Sequence, residues 1–494
     1  MASVAPTPTA SDAALFREAT AAWERGDAES VLPKIERALP ASSDYRLWHI
    51  HGLILRQLDR RGPALQSLRK AVELAPDAAN PAHALARTLL EAGQPSVDAY
   101  ANALRLSPGN HELLLGLTAA LTAERRVDEA IAGLERSVSL MPQWVEAHAQ
   151  LSKLRWMQGE RDGFARSFDE ALARVPGSLE LRREQIITLS HAGHWDETLR
   201  VIANGRAAIG DHAMFDSNEA VVYSELDQIE AADAIFDRLA DLADATVQIR
   251  RIRHFLRSAR ASEASLAMQP WLESADAFLF WPYASIAWRM TGDPRSEWLE
   301  GDPRFVGVYD IADRLPPLNE LAPALRQLHT VRGEPLEQSL RGGTQTDGNL
   351  FHRVDPIIVQ LREAIRETVA EHVAKLPPPD ERHPLLAPKR GPIRFNGAWS
   401  VRLNQGGFHA NHVHPLGWIS SALYITLPAD TGKNEAGMLT LGEPQAQLRL
   451  DLPPTKLVEP RPGRLVLFPS WMWHGTRPFG SGERMTVAFD VARP

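Results

Sequence analysis

The sequence predicts a multidomain α + β protein: an N-terminal α-solenoid of helical repeats, then a C-terminal β unit of sandwich or jelly-roll type with flanking helices. It does so on three grounds. Prolines close apolar helical phrases at a step near 34 residues through the first part of the chain. After Pro392 the apolar residues fall into short β-sized runs cut by Gly, Pro, Asn and Asp. And 494 residues exceed one compact core, so two or three domains are expected.

Composition narrows the class. Apolar residues make up 44% and charged residues 23%, ordinary values for a globular protein in water. The net charge of −8 argues against a general nucleic-acid binder. With no cysteine, a disulfide framework, a thiolate zinc site, an iron–sulfur cluster and a cysteine nucleophile are excluded. A reducing cytoplasm is the simplest compartment. The opening MASVAPTPTASDAALF has no basic n-region and no continuous apolar stretch, so it does not read as a signal peptide. Residues 1–12 read as a disordered tail. No run of about 18 apolar residues occurs, so no membrane span or membrane partner is expected.

The helical part is read from its punctuation. Pro40, Pro76, Pro108, Pro142 and Pro176 end the phrases IERALP, AVELAP, ALRLSP, SVSLMP and ALARVP. Between Pro142 and Pro176, Ala147, Leu151 and Leu154 fit one helical face, Gly159 the turn, and Ala165, Phe168 and Ala171 a second helix. One period earlier, Leu151, Leu154 and Phe168 become Leu117, Ala120 and Leu134, again apolar. These residues resemble tetratricopeptide repeats, each a helix–turn–helix, over roughly residues 13–210. Degenerate helical repeats are expected to about residue 295, with the period no longer readable there. The resemblance implies a concave groove that recruits a protein or peptide. Trp48, Trp144 and Trp156 read either as groove anchors or as helix-packing core.

From PRSEWLEGDPRFVGVYDI onward the helical period gives way to mixed strand and loop. A helix is predicted over 355–375, with Ile358, Leu361, Ile365, Val369 and Val373 on one face and Asp355–Pro356 at its start. Six prolines in 377–392 exclude a helix or central strand there and leave a covering loop. The expected division is therefore a tail at 1–12, repeats at 13–295, a lead-in at 296–392 and a β core at 393–494.

Within the β core, strands are predicted at 399–404, 412–414, 421–427, 437–442, 463–469 and 484–491. A period of two sets their faces. His412 and His414 then share a face, while His409, three residues away, faces elsewhere. Arg484, Thr486, Ala488 and Asp490 share a face opposite Met485, Val487, Phe489 and Val491. Tyr424 lies with Ala422 and Thr426. A barrel interior holding two histidines, a tyrosine, a threonine and an arginine is polar, and a buried arginine is costly without an anion. A bound dicarboxylate would supply that anion. Asp490 reads as a partner behind the site or, more simply, as half of a structural salt bridge. Trp399, Trp418, Trp471 and Trp473 suit a pocket wall or core packing equally.

HVHPLGWISSALYITLP, FPSWMWH and ERMTVAF resemble a bacterial and phage group of 2-oxoglutarate- and iron(II)-dependent oxygenases related to prolyl hydroxylases. The similarity covers about 393–494, and SLRGGTQTDGNLF (339–351) resembles that group's lead-in. It implies a double-stranded β-helix, with Fe(II), 2-oxoglutarate as cosubstrate and O2. By this resemblance His412 and His474 are iron ligands, Arg484 binds the distal carboxylate of 2-oxoglutarate, and Thr486 and Tyr424 assist. The implied activity is hydroxylation, here of a protein or peptide brought by the repeats.

The sequence departs from the commonest set of two histidines and a carboxylate, because His414 stands where Asp or Glu is usual. Either His414 is a third ligand, or water completes a two-histidine site. Asparaginyl/aspartyl β-hydroxylases, similar in joining tetratricopeptide repeats to an oxygenase, also lack the carboxylate. Two other readings stay open: a non-catalytic repeat scaffold whose jelly roll binds a metal or an acid, and a three-histidine cupin-like metalloenzyme without a keto acid. Walker A, GxSxG, HExxH and GxGxxG patterns organise no segment. The oligomeric state is not legible.

Overall fold

The computed structural model describes residues 10–330, 333–387, 390–429 and 431–494. Most of the expected tail, residues 1–9, lies outside that set. Residues 10–12, placed in the tail by the sequence, are instead the first residues of the helix Ala10–Glu24. The chain divides into two compact units, Met1–Gly133 with Gly348–Val359, and Leu134–Asp347 with Gln360–Pro494.

In the first unit, antiparallel helix pairs bury stripes at helical spacing. Leu47, Ile50 and Ile54 of the helix Tyr45–Gln57 pack with Val31 and Ile35 of Ala28–Ala38. Asp44 and Asn110 cap the helices that follow them through their side-chain oxygens. The segment Gly348–Val359 docks here: Val354 N donates to Ala92 O at 3.2 Å, and Arg353 Nη2 to Gly93 O at 3.3 Å.

In the second unit the repeats continue past the point where the sequence stops showing them. The first helices of successive repeats begin at residues 45, 79, 111, 145, 179, 213, 245 and 277, so the step stays at 32–34 residues from Tyr45 onward. The reason it fades from view is punctuation. Gly210, at φ 83°, replaces the closing proline, and the next turn ends on Asp244, which caps its helix by accepting from Thr246 N and Val247 N. Trp144 is buried, whereas Trp48 and Trp156 are half-buried against core clusters.

The β unit has nine strands among the described residues: β1 (Gly307–Asp310), β2 (Leu340–Gln345), β3 (Phe395–His409), β4 (Ile419–Thr426), β5 (Leu439–Leu441), β6 (Lys456–Val458), β7 (Arg464–Pro469), β8 (His474–Thr476) and β9 (Arg484–Val491). They form an antiparallel sheet in the order β1-β7-β4-β9-β3-β2 and a small sheet β6-β5-β8, the two layers of a jelly roll. The helix Pro356–Lys375 forms as predicted, and Leu361, Ile365 and Val369 of its apolar stripe are fully buried. The proline-rich stretch contains no helix or strand among its described residues, and Leu385 O accepts the Trp418 indole N–H at 3.0 Å. Pro388 and Lys389 of that stretch lie outside the described residues.

One predicted strand is absent. Residues 412–414 form only an isolated bridge, because the chain bends at Asn411 and turns again at Pro415–Leu416. No helix among the described residues is long and apolar enough to cross a membrane.

Candidate metal centre

Three histidines meet at the mouth of the jelly roll. His412 and His474 are joined by reciprocal backbone hydrogen bonds, His412 N to His474 O at 2.9 Å and His474 N to His412 O at 3.0 Å. His414 is fixed separately, its amide donating to Ser470 O at 2.8 Å. The ring centroids lie 4.2 Å (412–474), 4.9 Å (412–414) and 5.1 Å (414–474) apart. One ring nitrogen from each lies within 4.8 Å of the others.

Hydrogen bonding sets which nitrogen each ring presents. His412 Nδ1 donates to Ala410 O and His474 Nδ1 to Met472 O, both at 2.9 Å and both two residues back along the chain. His414 Nδ1 lies 2.8 and 2.7 Å from the two carboxylate oxygens of Asp490. A ring that donates from Nδ1 keeps its lone pair on Nε2, so all three present the form a metal takes. Burial pushes His412 down to about 3 and His474 well below the usual imidazole range, and the neighbouring imidazoles add to this. Both are therefore neutral at physiological pH. The donor set suits Fe(II) or another borderline divalent ion.

His409, expected to face away, turns toward the site. Its ring stacks on that of His412 at 6.0 Å, and Ser339 Oγ lies 3.2 Å from both His409 Nδ1 and His412 Nε2. Strand alternation does not carry from His409 to His412, because β3 ends at His409 and the bend that follows resets the faces. Asp490 is a second correction. It forms no ordinary salt bridge among the described residues; its partners are His414 and the Ser420 hydroxyl, which donates at 2.6 Å. The signal for it was present in the sequence, since Asp490 shares a face with Arg484 and Thr486. Ser339 opens the lead-in phrase SLRGGTQTDGNLF, but the sequence gives it no role at the site.

On the inner face of β9, Arg484 is 2% exposed. Its Nη1 donates to Gly437 O at 2.9 Å, its guanidinium lies 5.2 Å from the Tyr424 ring centre, and its Nε meets no protein acceptor. No carboxylate pairs with it among the described residues. Tyr424 Oη and Thr426 Oγ1 are likewise buried without a partner, and Thr486 stands opposite Tyr424 in the β4–β9 ladder. Burial alone pushes the Arg484 guanidinium down from its ordinary value, a cost that a bound anion would relieve. The same cavity is lined by His412, His414, His474, Arg484 and Thr486, so a guanidinium and three histidines that could hold a metal share one space.

Phe468, 4.7 Å from His474 between ring centres, and Trp399, 5.5 Å from His414, wall the cavity. The other three tryptophans are core. Trp418, Trp471 and Trp473 are 1–2% exposed, and Trp473 donates to Pro282 O at 2.8 Å, tying the His474 loop to a repeat helix.

Residues 397–490 match the family model described as "Putative 2OG-Fe(II) oxygenase", and residues 45–78 match the tetratricopeptide repeat model. The first match spans His412, His414, His474 and Arg484. A Hsp70-Hsp90 organizing protein of Triticum aestivum is 29% identical over 83 residues, which is 17% of this chain and 14% of that protein; the chain thus spans about one seventh of that relative's length. Among solved structures, a tetratricopeptide repeat protein from Parabacteroides merdae covers 53% of this chain and 100% of its own, at 17% identity and a TM-score of 0.32. A Pseudomonas putida prolyl-4-hydroxylase covers 38% of this chain and 93% of its own, at 16% identity and a TM-score of 0.26. The chain thus joins helical repeats, one of which matches the tetratricopeptide model, to a jelly roll similar to the 2OG-Fe(II) oxygenases.

Proposed function

We propose that this protein is an iron(II)- and 2-oxoglutarate-dependent dioxygenase that hydroxylates a protein or peptide substrate. The observation that carries the reading is the pairing, in one cavity, of three Nε2-presenting histidines with a buried arginine that has no carboxylate partner. His412, His414 and His474 would hold the metal. Arg484 would hold the far carboxylate of 2-oxoglutarate, with Tyr424 and Thr486 supplying hydroxyl contacts. Bound together, the metal and 2-oxoglutarate would supply oxidation by O2: 2-oxoglutarate would lose CO2, one oxygen atom would go to the resulting succinate and the other to the substrate. The chain's own contribution is orientation and dryness: Phe468 and Trp399 screen the histidines, and the carbonyls of Ala410 and Met472 fix two rings.

Recruitment of a polypeptide is supported by an open cleft of about 330 Å³ beside His412 and His414. Asn411, Gln338, Gln445 and Gln447 border it, and amide side chains suit the donors and acceptors of an extended backbone. His191, from the repeat helix Leu179–His191, closes one side, so a repeat helix touches the same cleft as the metal ligands. The segment leading into β2 is anchored on those repeats, with Leu336 buried near Phe168 and Ile186 and Glu337 3.0 Å from Lys153 Nζ. We place the protein in the reducing cytoplasm, where iron(II) persists, and take the β core as 393–494. The test is succinate formation from 2-oxoglutarate by the Fe(II)-loaded protein, with peptide pools as stimulants. Succinate that depends on His474 and Arg484 supports the reading; metal-loaded protein that consumes no 2-oxoglutarate favours a metal-binding scaffold.

A further inference from the structure

We infer that Asp490, acting through His414, supplies the negative charge that a carboxylate ligand would otherwise place directly on the metal; the inference rests on the metal-site reading above. The three rings are not backed alike. His412 and His474 lean on neutral carbonyls, whereas the His414 Nδ1–H meets both oxygens of a carboxylate at 2.8 and 2.7 Å. Asp490 has no arginine or lysine partner among the described residues, so its charge is directed to this ring.

The pair is also rigidly held. Ser420 stands directly opposite Asp490 in the β4–β9 ladder and donates to its Oδ1 at 2.6 Å. Ser420 Oγ also lies 3.0 Å from Ser470 Oγ, whose hydroxyl is left to donate to it, and Ser470 O receives the His414 amide at 2.8 Å. Both ends of His414 are therefore fixed by one serine pair, with the ring aimed at His412 and His474. Three neutral imidazoles alone would leave a divalent ion one negative charge short of the two-histidine, one-carboxylate set. Asp490 restores that charge one ring further out. This makes His414 a ligand and Asp490 its positioning residue, and disfavours water in its place.

The test is Co(II) titration of the metal-free full-length protein, read by absorption and calorimetry, alongside apo melting temperature. Asp490→Asn keeps an acceptor for Nδ1–H but removes the charge. It should weaken Co(II) binding by about 10- to 100-fold with little change in apo melting. In a His414→Ala background the same substitution should do nothing further. Unchanged affinity in Asp490→Asn, with His474→Ala losing the metal, overturns the inference while leaving the metal site standing. A loss that persists in the His414→Ala background overturns it as well, because Asp490 would then act by another route. If His474→Ala also binds normally, the metal reading itself fails. Should Asp490→Asn not fold, Ser420→Ala serves instead: several-fold weaker binding is expected, and unchanged affinity contradicts the inference.

Discussion

His412 and His474, far apart in the chain, face each other across a single antiparallel bridge in which each amide donates to the other's carbonyl, at 2.9 and 3.0 Å. The bridge does what a strand 412–414 was expected to do, with only one residue pair. It places two imidazoles 4.2 Å apart between ring centres before any ligand arrives. Such preorganisation would let a metal bind without first ordering a loop.

The bridge depends on Gly475. A Cβ there would strike Asn411 Oδ1 and come within 2.8 Å of His409 O, both on the chain that carries His412. Gly475→Ala should therefore destabilise the fold by about 1–3 kcal/mol. It should also weaken divalent-metal binding, because it separates the two rings. Thermal melts with and without Co(II) check both effects.

Arg484 makes the opposite prediction for stability. A buried guanidinium without a counter-charge is a burden on the ligand-free protein, and replacing it with an apolar chain removes that burden. Arg484→Met should leave metal affinity unchanged and raise apo stability by about 1–3 kcal/mol. The same variant should lose about 100-fold in 2-oxoglutarate affinity, the cost of removing one partner from a buried charged pair. Calorimetry with 2-oxoglutarate on Co(II)-loaded protein, beside apo denaturation, separates the two effects.

The pH dependence has two limbs. Burial pushes the Glu300 carboxyl up to about 7, beside Ser285, whose hydroxyl donates to it at 2.8 Å. Although the residue is half-buried overall, its Oε1 is fully buried with no donor. The folded state favours the neutral acid, so its stabilisation is complete below the ordinary value of 4.5 and lost as pH rises through about 7. Glu300→Gln should match the wild type near pH 4 and exceed it by about 3 kcal/mol at pH 8. On the acid side, burial pushes His329 and His372 down to about 4. Their contribution is present above 6.5 and lost as pH falls toward 4. Denaturant melts of both proteins across pH 4–8 test the sign.

The sequence was most legible where residue type and spacing carry the structure. The proline-closed phrases revealed repeats until Gly210 and Asp244 took over the punctuation, after which the helices continued without their marker. The helix Pro356–Lys375 and the face of β9 followed from periodicity, whereas the register of β4 against β9 shifts between Tyr424 and Thr426, so alternation holds only for its first part. The site was legible as a set of residues, and its geometry less so. The bend at Asn411 breaks the period of two, so His409 turned inward against expectation. Asp490 stood on the right face, but its partner lies on a loop that no alternation rule places. Ser339 comes from the lead-in segment, whose approach to His412 depends on Leu336 being anchored among repeat helices.

In the proposed site one cavity holds a metal on histidines and a 2-oxoglutarate on Arg484. The most direct test is anaerobic titration of the Fe(II)-loaded protein with 2-oxoglutarate, following the weak visible charge-transfer absorption of a keto-acid chelate. A saturable band is expected in the wild type and is lost in His474→Ala and, at the same 2-oxoglutarate concentration, in Arg484→Met. Tightly bound iron with no band at saturating 2-oxoglutarate would contradict it.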